Sequence, residues 1–142
     1  MVENCCSHPG LRMIRVLVAD DQRMFRTAIS RSLGDVAGIE VIGEAGDGEE
    51  AVRMAVERCP DVVLMDIAMP LLNGMEATRR IRARCPSTRV VGLSIYDNPG
   101  MDEMMLAAGA AAYVTKGCAL EMLVETIRSV QFDSDDQPPS PA

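Results

Sequence analysis

Asp61-Val62-Val63-Leu64-Met65-Asp66 holds four apolar residues between two carboxylates, and Val16-Leu17-Val18-Ala19-Asp20-Asp21 likewise runs apolar into an acidic pair. A strand with one wet face alternates apolar and polar residues, whereas an uninterrupted apolar run is buried on both faces. Strands are expected at 13–19, 39–45, 61–65, 89–94 and 111–115, with 13–19 and 61–65 nearly continuous apolar runs. Covering both faces takes helices on both sides, and helices between parallel strands make the crossovers. The expected architecture is an α/β single domain, a (βα)5 doubly wound parallel sheet. The common five-strand order, 2-1-3-4-5, puts strands 1 and 3 side by side, with a crevice beyond their carboxyl ends.

Helical periodicity fills the intervals. Phe25, Ala28, Ile29, Ser32 and Leu33 recur at helical spacing before Gly34. Asp47-Gly48 caps a helix over 49–58, with Ala51, Val52, Ala55 and Val56 on one face and Pro60 beyond its end. Helices follow at 74–84 with Met75, Thr78 and Ile81 inward, at 99–108 before Gly109, and at 120–130 with Leu120, Leu123, Val124 and Ile127 inward. Residues 1–12 lack periodicity and read as a disordered leader. Residues 132–142, acidic and then rich in proline, read as a tail or linker. The domain is expected over 13–131.

The chain has 142 residues, of which 48% are hydrophobic and only 3% aromatic, so aliphatic residues and methionine must fill the core. No apolar stretch approaches the ~20 residues of a membrane span, and residues 1–10 do not read as a secretory signal. The expected location is the cytoplasm, without membrane contact. A net charge of −7 argues against nucleic-acid binding through this chain. The five cysteines, Cys5, Cys6, Cys59, Cys85 and Cys118, form no CxxC and suit free thiols. His8, the one histidine, sits in the polar leader.

The strand ends carry the chemistry. Strand 1 ends in Asp20 and Asp21, strand 3 in Asp66, strand 4 in Ser94 and strand 5 in Lys116. In the expected order the three carboxylates converge. Like charges so placed raise one another's pKa, and a hard divalent cation such as Mg²⁺ relieves them with oxygen ligands. A carboxylate beside such a cation can attack phosphorus, while an ammonium and a hydroxyl bind the phosphoryl oxygens. Any one of these residues is ordinary for a surface loop. Their joint placement at four strand ends is not.

Val16-Leu17-Val18-Ala19-Asp20-Asp21, the run from Asp61 to Pro70 with Asn73-Gly74, Val90-Val91-Gly92-Leu93-Ser94, and the run from Ala107 to Lys116 resemble, in order and spacing, the receiver domain of two-component response regulators. The likeness covers about residues 13 to 131 and is strongest to receivers of LuxR-type regulators and of some hybrid histidine kinases. It implies the flavodoxin-like form of the fold inferred above. It implies Asp66 as phosphoacceptor, with Asp20, Asp21, Asp66 and the Ala68 backbone carbonyl around Mg²⁺. It also implies Ser94 as switch hydroxyl, Lys116 as phosphate-binding lysine and Tyr113 as switch aromatic, with Pro70 and Gly74 shaping the loop after Asp66. The partner implied is a histidine kinase or histidine phosphotransferase, with homodimerisation through the helix 4–strand 5–helix 5 face. Such a chain is no enzyme beyond self-catalysed phosphotransfer and autodephosphorylation. Departures from the pattern are the bulky Ile95 after Ser94, Ala68 two residues after Asp66, Tyr96 beside the site, and Gly117 after Lys116. These bear on phosphate lifetime. Ala68 also weighs against an Asp-nucleophile phosphatase, which usually has a second Asp there.

Weaker signals have plainer readings. Gly43, Gly46 and Gly48 are spaced G-x-x-G-x-G after strand 2, which suits a turn better than a dinucleotide site. Arg79, Arg80, Arg82 and Arg84 read as a solvated helix face. Met101, Met104, Met105 and Leu106 divide between core and an adaptable partner surface.

Overall fold

In the computed structural model, residues 13–69, 72–95 and 100–136 are described. The leader with His8, Cys5 and Cys6 lies outside them, as do Pro70, Tyr96, Pro99 and residues 137–142. Five strands alternate with five helices: β1 (Ile14–Ala19), α1 (Arg23–Gly34), β2 (Ile39–Ala45), α2 (Gly48–Arg58), β3 (Val62–Asp66), α3 (Gly74–Arg84), β4 (Arg89–Ser94), α4 (Met101–Ala108), β5 (Ala112–Thr115) and α5 (Leu120–Asp136). The sheet order is β2-β1-β3-β4-β5 and all pairings are parallel. The doubly wound fold expected from the apolar runs is therefore the one observed. A register shift between Val16 and Leu17 leaves Ile42 unpaired in β2.

The central strands are buried on both faces. Leu17, Val63 and Met65 join one core layer beneath α2 and α3, whereas Val16, Val18 and Leu64 join the other beneath α1 and α5. Each fully buried aliphatic side chain contributes roughly 1.5–3 kcal/mol by leaving water. Two helix faces are turned from the expected ones. On α2, Met54 is buried and Val56 is 39% exposed. The absence of a side chain at Gly43 explains the turn: a Cβ there would lie 2.6 Å from the Met54 methyl. On α1, Ala28 faces solvent while Phe25, Ile29 and Leu33 pack inward.

The last helix runs to Asp136, beyond the expected end at 130 and into the segment read as tail. Residues 131–136 contain no proline or glycine. Pro138 disfavours helical backbone in the residue before it, which makes it the first strong stop. Among the described residues, no helix is long and apolar enough to cross a membrane.

Candidate functional site

The carboxyl ends of β1, β3, β4 and β5 surround a cleft of about 270 Å³, lined by Asp21, Gln22, Asp66, Ile67, Ala68, Ser94, Ile95, Met101 and Lys116. Parallel register brings these ends level. Asp66 is the last residue of β3 and pairs with Leu93, one residue before Ser94, and Ser94 pairs with Thr115, one residue before Lys116. The Lys116 N–H donates to the Ser94 carbonyl at 2.7 Å, and the Asp20 N–H donates to the Ala45 carbonyl at 2.9 Å. Backbone pairing thus aims the site before any side chain contributes.

Asp20, Asp21 and Asp66 each offer a carboxylate oxygen, and these lie within 4.8 Å of one another. Asp20 is fully buried, Asp66 is 4% exposed, and Asp21 faces solvent. The Lys116 ammonium stands 2.6 Å from Asp20 Oδ2 and 3.5 Å from Asp66 Oδ2. Asp20 Oδ2, fully buried, has the Lys116 ammonium as its close counter-charge. Burial pushes the Asp66 carboxyl from its ordinary 3.8 up to about 6, and the Asp20 charge adds to the rise. Lys116 and the Ala68 N–H, which donates to Asp66 Oδ1 at 3.2 Å, oppose it, while Asp21 contributes a further push upward. Three carboxylates face one ammonium. The cluster therefore holds surplus negative charge in an oxygen-only setting, which fits a hard divalent cation.

Two neighbours of Lys116 escaped the sequence reading. The Gln22 side chain accepts from Lys116 Nζ at 3.4 Å, and its backbone N–H donates to Asp20 Oδ1 at 2.7 Å. The Phe25 ring lies 4.8 Å below the same ammonium, a cation–π distance. Both follow the Asp20-Asp21 pair at the start of α1, the one local signal that could have marked them.

Gly74 is needed for close approach rather than for an unusual turn. A Cβ there would stand 2.2 Å from the Asp66 carbonyl oxygen, so its absence lets α3 begin directly against the acceptor residue. Asn73 caps that helix by accepting from the Glu76 N–H at 2.9 Å. Ile95 is 57% exposed at the rim of the cleft. Tyr113 packs away from the cleft lining, beside Met105 over Gly92, where a Cβ would meet both side chains.

The weaker signals resolve as structure. Arg79 and Arg80 pair with Glu76 at 3.3 and 3.5 Å. Arg82 donates to the Pro86 and Thr88 carbonyls, the latter at 2.7 Å. Gly48 makes room for the Leu72 carbonyl, which a Cβ would strike. Met105 is buried in the core, while Met104 is 52% and Leu106 48% exposed.

A family model for the response regulator receiver domain matches residues 16–128. Response regulator GacA of Pseudomonas aeruginosa is 44% identical over 118 residues, covering 83% of this chain and 55% of that protein. Response regulator UvrY of Escherichia coli K12 is 42% identical over the same length, covering 54% of that protein. The chain thus spans about half the length of these curated relatives. Among solved structures, the receiver domain of the putative response regulator NarL from Mycobacterium tuberculosis superposes with a TM-score of 0.81 at 31% identity. That match covers 84% of this chain and 97% of the other. A LuxR-family response regulator from Aurantimonas gives 0.80 at 32% identity, covering 84% and 85%. Sheet order, acid cluster and these likenesses agree: the chain belongs to the family of response regulator receiver domains of two-component signalling.

Proposed function

We propose that this receiver accepts a phosphoryl group on Asp66 from the phosphohistidine of a histidine kinase or histidine phosphotransferase. The observation that carries the reading is the Asp66 carboxylate itself. It lies at the end of a central strand, at the mouth of an open cleft, between two other carboxylates and one ammonium. In the reaction the donor's P–N bond breaks, an O–P bond forms on Asp66, and the imidazole leaves with a proton from solvent.

Asp20, Asp21, Asp66 and the Ala68 backbone carbonyl would hold Mg²⁺. Bound there, Mg²⁺ would neutralise the surplus acid charge and polarise the incoming phosphoryl oxygens. The Lys116 ammonium, already 3.5 Å from Asp66, needs only to exchange part of its Asp20 pairing to meet a phosphoryl oxygen. The Ser94 hydroxyl donates from the neighbouring strand end. Drawing Ser94 inward frees space that Tyr113 occupies, and the α4–β5–α5 face changes for its partner or for a second copy of the chain. The exposed Met104 and Leu106 lie on that face. Phosphotransfer and autodephosphorylation are the chain's own catalysis. The domain proper begins at about residue 13 and includes α5, which runs to Asp136. A net charge of −7 supports a protein partner rather than a nucleic acid for this chain itself.

Acetyl phosphate with Mg²⁺, read by intact mass, tests the proposal. One added phosphoryl group that chelation of the metal prevents supports it. No gain with acetyl phosphate or with a phosphorylated kinase contradicts it.

A further inference from the structure

Arg-Cys-Pro occurs twice in the chain, as Arg58-Cys59-Pro60 and Arg84-Cys85-Pro86, and each copy closes a helix: Cys59 caps α2 and Cys85 caps α3. The two helices pack side by side on one face of the sheet. Their ends meet at a single oxygen. The Ala55 carbonyl accepts the Cys59 N–H at 2.9 Å and the Cys85 thiol at 3.7 Å. Beyond the cysteines the two segments stay joined, with Thr88 Oγ1 donating to the Pro60 carbonyl at 2.8 Å and the Arg89 N–H to the Asp61 carbonyl at 2.9 Å.

The two thiols are unlike. Cys59 is exposed and Cys85 is buried, and both are free. Cys59 adopts the left-handed conformation (φ 49°) that glycine usually supplies at a helix end. Arg15 donates to its carbonyl at 2.9 Å, which holds the end of α2 against β1. Burial pushes the Cys85 thiol up. The nearby Cys59 adds to this and Arg84 opposes it. One thiol is thus open to solvent oxidants, with a second, protected thiol behind it.

We propose that Cys59 and Cys85 form a reactive pair that a hydroperoxide oxidises to an intramolecular disulfide joining the ends of α2 and α3. The Cys59 thiolate attacks a peroxide oxygen, the O–O bond breaks, and the leaving hydroxide takes up a proton as water, leaving a sulfenic acid. The Cys85 sulfur gives up its proton and attacks that sulfenic sulfur. The S–S bond forms, the S–O bond breaks, and a second water departs. One hydrogen peroxide is reduced to two waters, and the two thiols lose two electrons and two protons. The pair lies at the far end of the sheet from Asp66, so oxidation staples the scaffold without entering the phosphorylation site.

The full chain, reduced and desalted, is treated with hydrogen peroxide and digested with trypsin without reduction. The expected product is peptide 59–79 joined to peptide 85–89, two hydrogens lighter than their sum and absent from Cys59→Ser. The oxidised wild type is expected to unfold at a higher temperature than oxidised Cys59→Ser, and dithiothreitol is expected to erase the difference. Because Cys59 is exposed, its serine variant is expected to fold and so decides the case even where Cys85→Ser does not. Cys59 recovered as sulfinic acid, or joined to Cys5, Cys6 or Cys118 while Cys85 remains a thiol, would overturn the proposal.

Discussion

The two ends of this sheet treat buried polarity in opposite ways. At the amino ends of the strands, buried polar groups are largely matched, with Arg89 Nε the exception among the described residues. Thr88, 1% exposed, donates to the Pro60 carbonyl at 2.8 Å, the Arg15 N–H donates to Asp61 Oδ2 at 2.9 Å, and Arg82 reaches the Thr88 carbonyl at 2.7 Å. At the carboxyl ends, Asp20, Asp21 and Asp66 crowd around the Lys116 ammonium, and Asp66 is pushed up to about 6. Matched groups hold a fold together, whereas unbalanced charge at a cleft is the mark of a site that completes itself with a ligand. Stability and function should therefore separate by end.

The largest separation is expected from Asp66→Asn, which should abolish phosphoryl incorporation, measured by intact mass, without lowering the midpoint of thermal unfolding at pH 7. Lys116→Met should follow. Removing the Lys116 cation that faces Asp66 is expected to slow phosphorylation by acetyl phosphate by about 100-fold, the scale of losing a charge-stabilising donor, as read from the initial rate.

The pH dependence sharpens the contrast. The folded-state pKa of Asp66 is raised, from 3.8 to about 6, so the folded chain holds the proton more tightly than the unfolded one. Its favourable contribution is full below about 4 and is lost as the pH rises through about 6. Without divalent cation, wild type should therefore lose stability relative to Asp66→Asn across that window. The difference is on the order of 3 kcal/mol, one pKa unit being worth about 1.4 kcal/mol. Denaturant titrations at both ends of the window check this, and added Mg²⁺ at pH 7 should recover part of the loss in wild type.

At the other end, Thr88→Val should do the reverse. It strands the Pro60 carbonyl and is expected to cost about 2 kcal/mol in denaturant titration, with the initial phosphorylation rate unchanged.

The central strands were legible because β1 and β3 are apolar almost throughout, a pattern compatible with only a few architectures, whereas β2 carries Glu40 and Glu44. The order β2-β1-β3-β4-β5 came from what five-strand sheets commonly do. Periodicity within Val16–Ala19 or Val62–Met65 says what is buried and not which strand lies beside which. The helix faces drifted at Val56 and Met54 because a distant glycine, Gly43, opened room for Met54, a tertiary effect invisible in a local pattern. At the site, Asp20, Asp21, Asp66, Ser94 and Lys116 were findable since each ends an apolar strand. Gln22 and Phe25 were not, because their role depends on where the long Lys116 side chain comes to rest.

The central claim is that Asp66 carries the phosphoryl group. Borohydride reduces an aspartyl phosphate to homoserine, so protein treated with acetyl phosphate and Mg²⁺, reduced and digested with trypsin, reads the acceptor directly by tandem mass spectrometry. Homoserine at position 66, within peptide 59–79, is the predicted result. Homoserine at Asp20 or Asp21 with Asp66 unchanged, or none anywhere in protein shown to carry phosphate, would contradict the account.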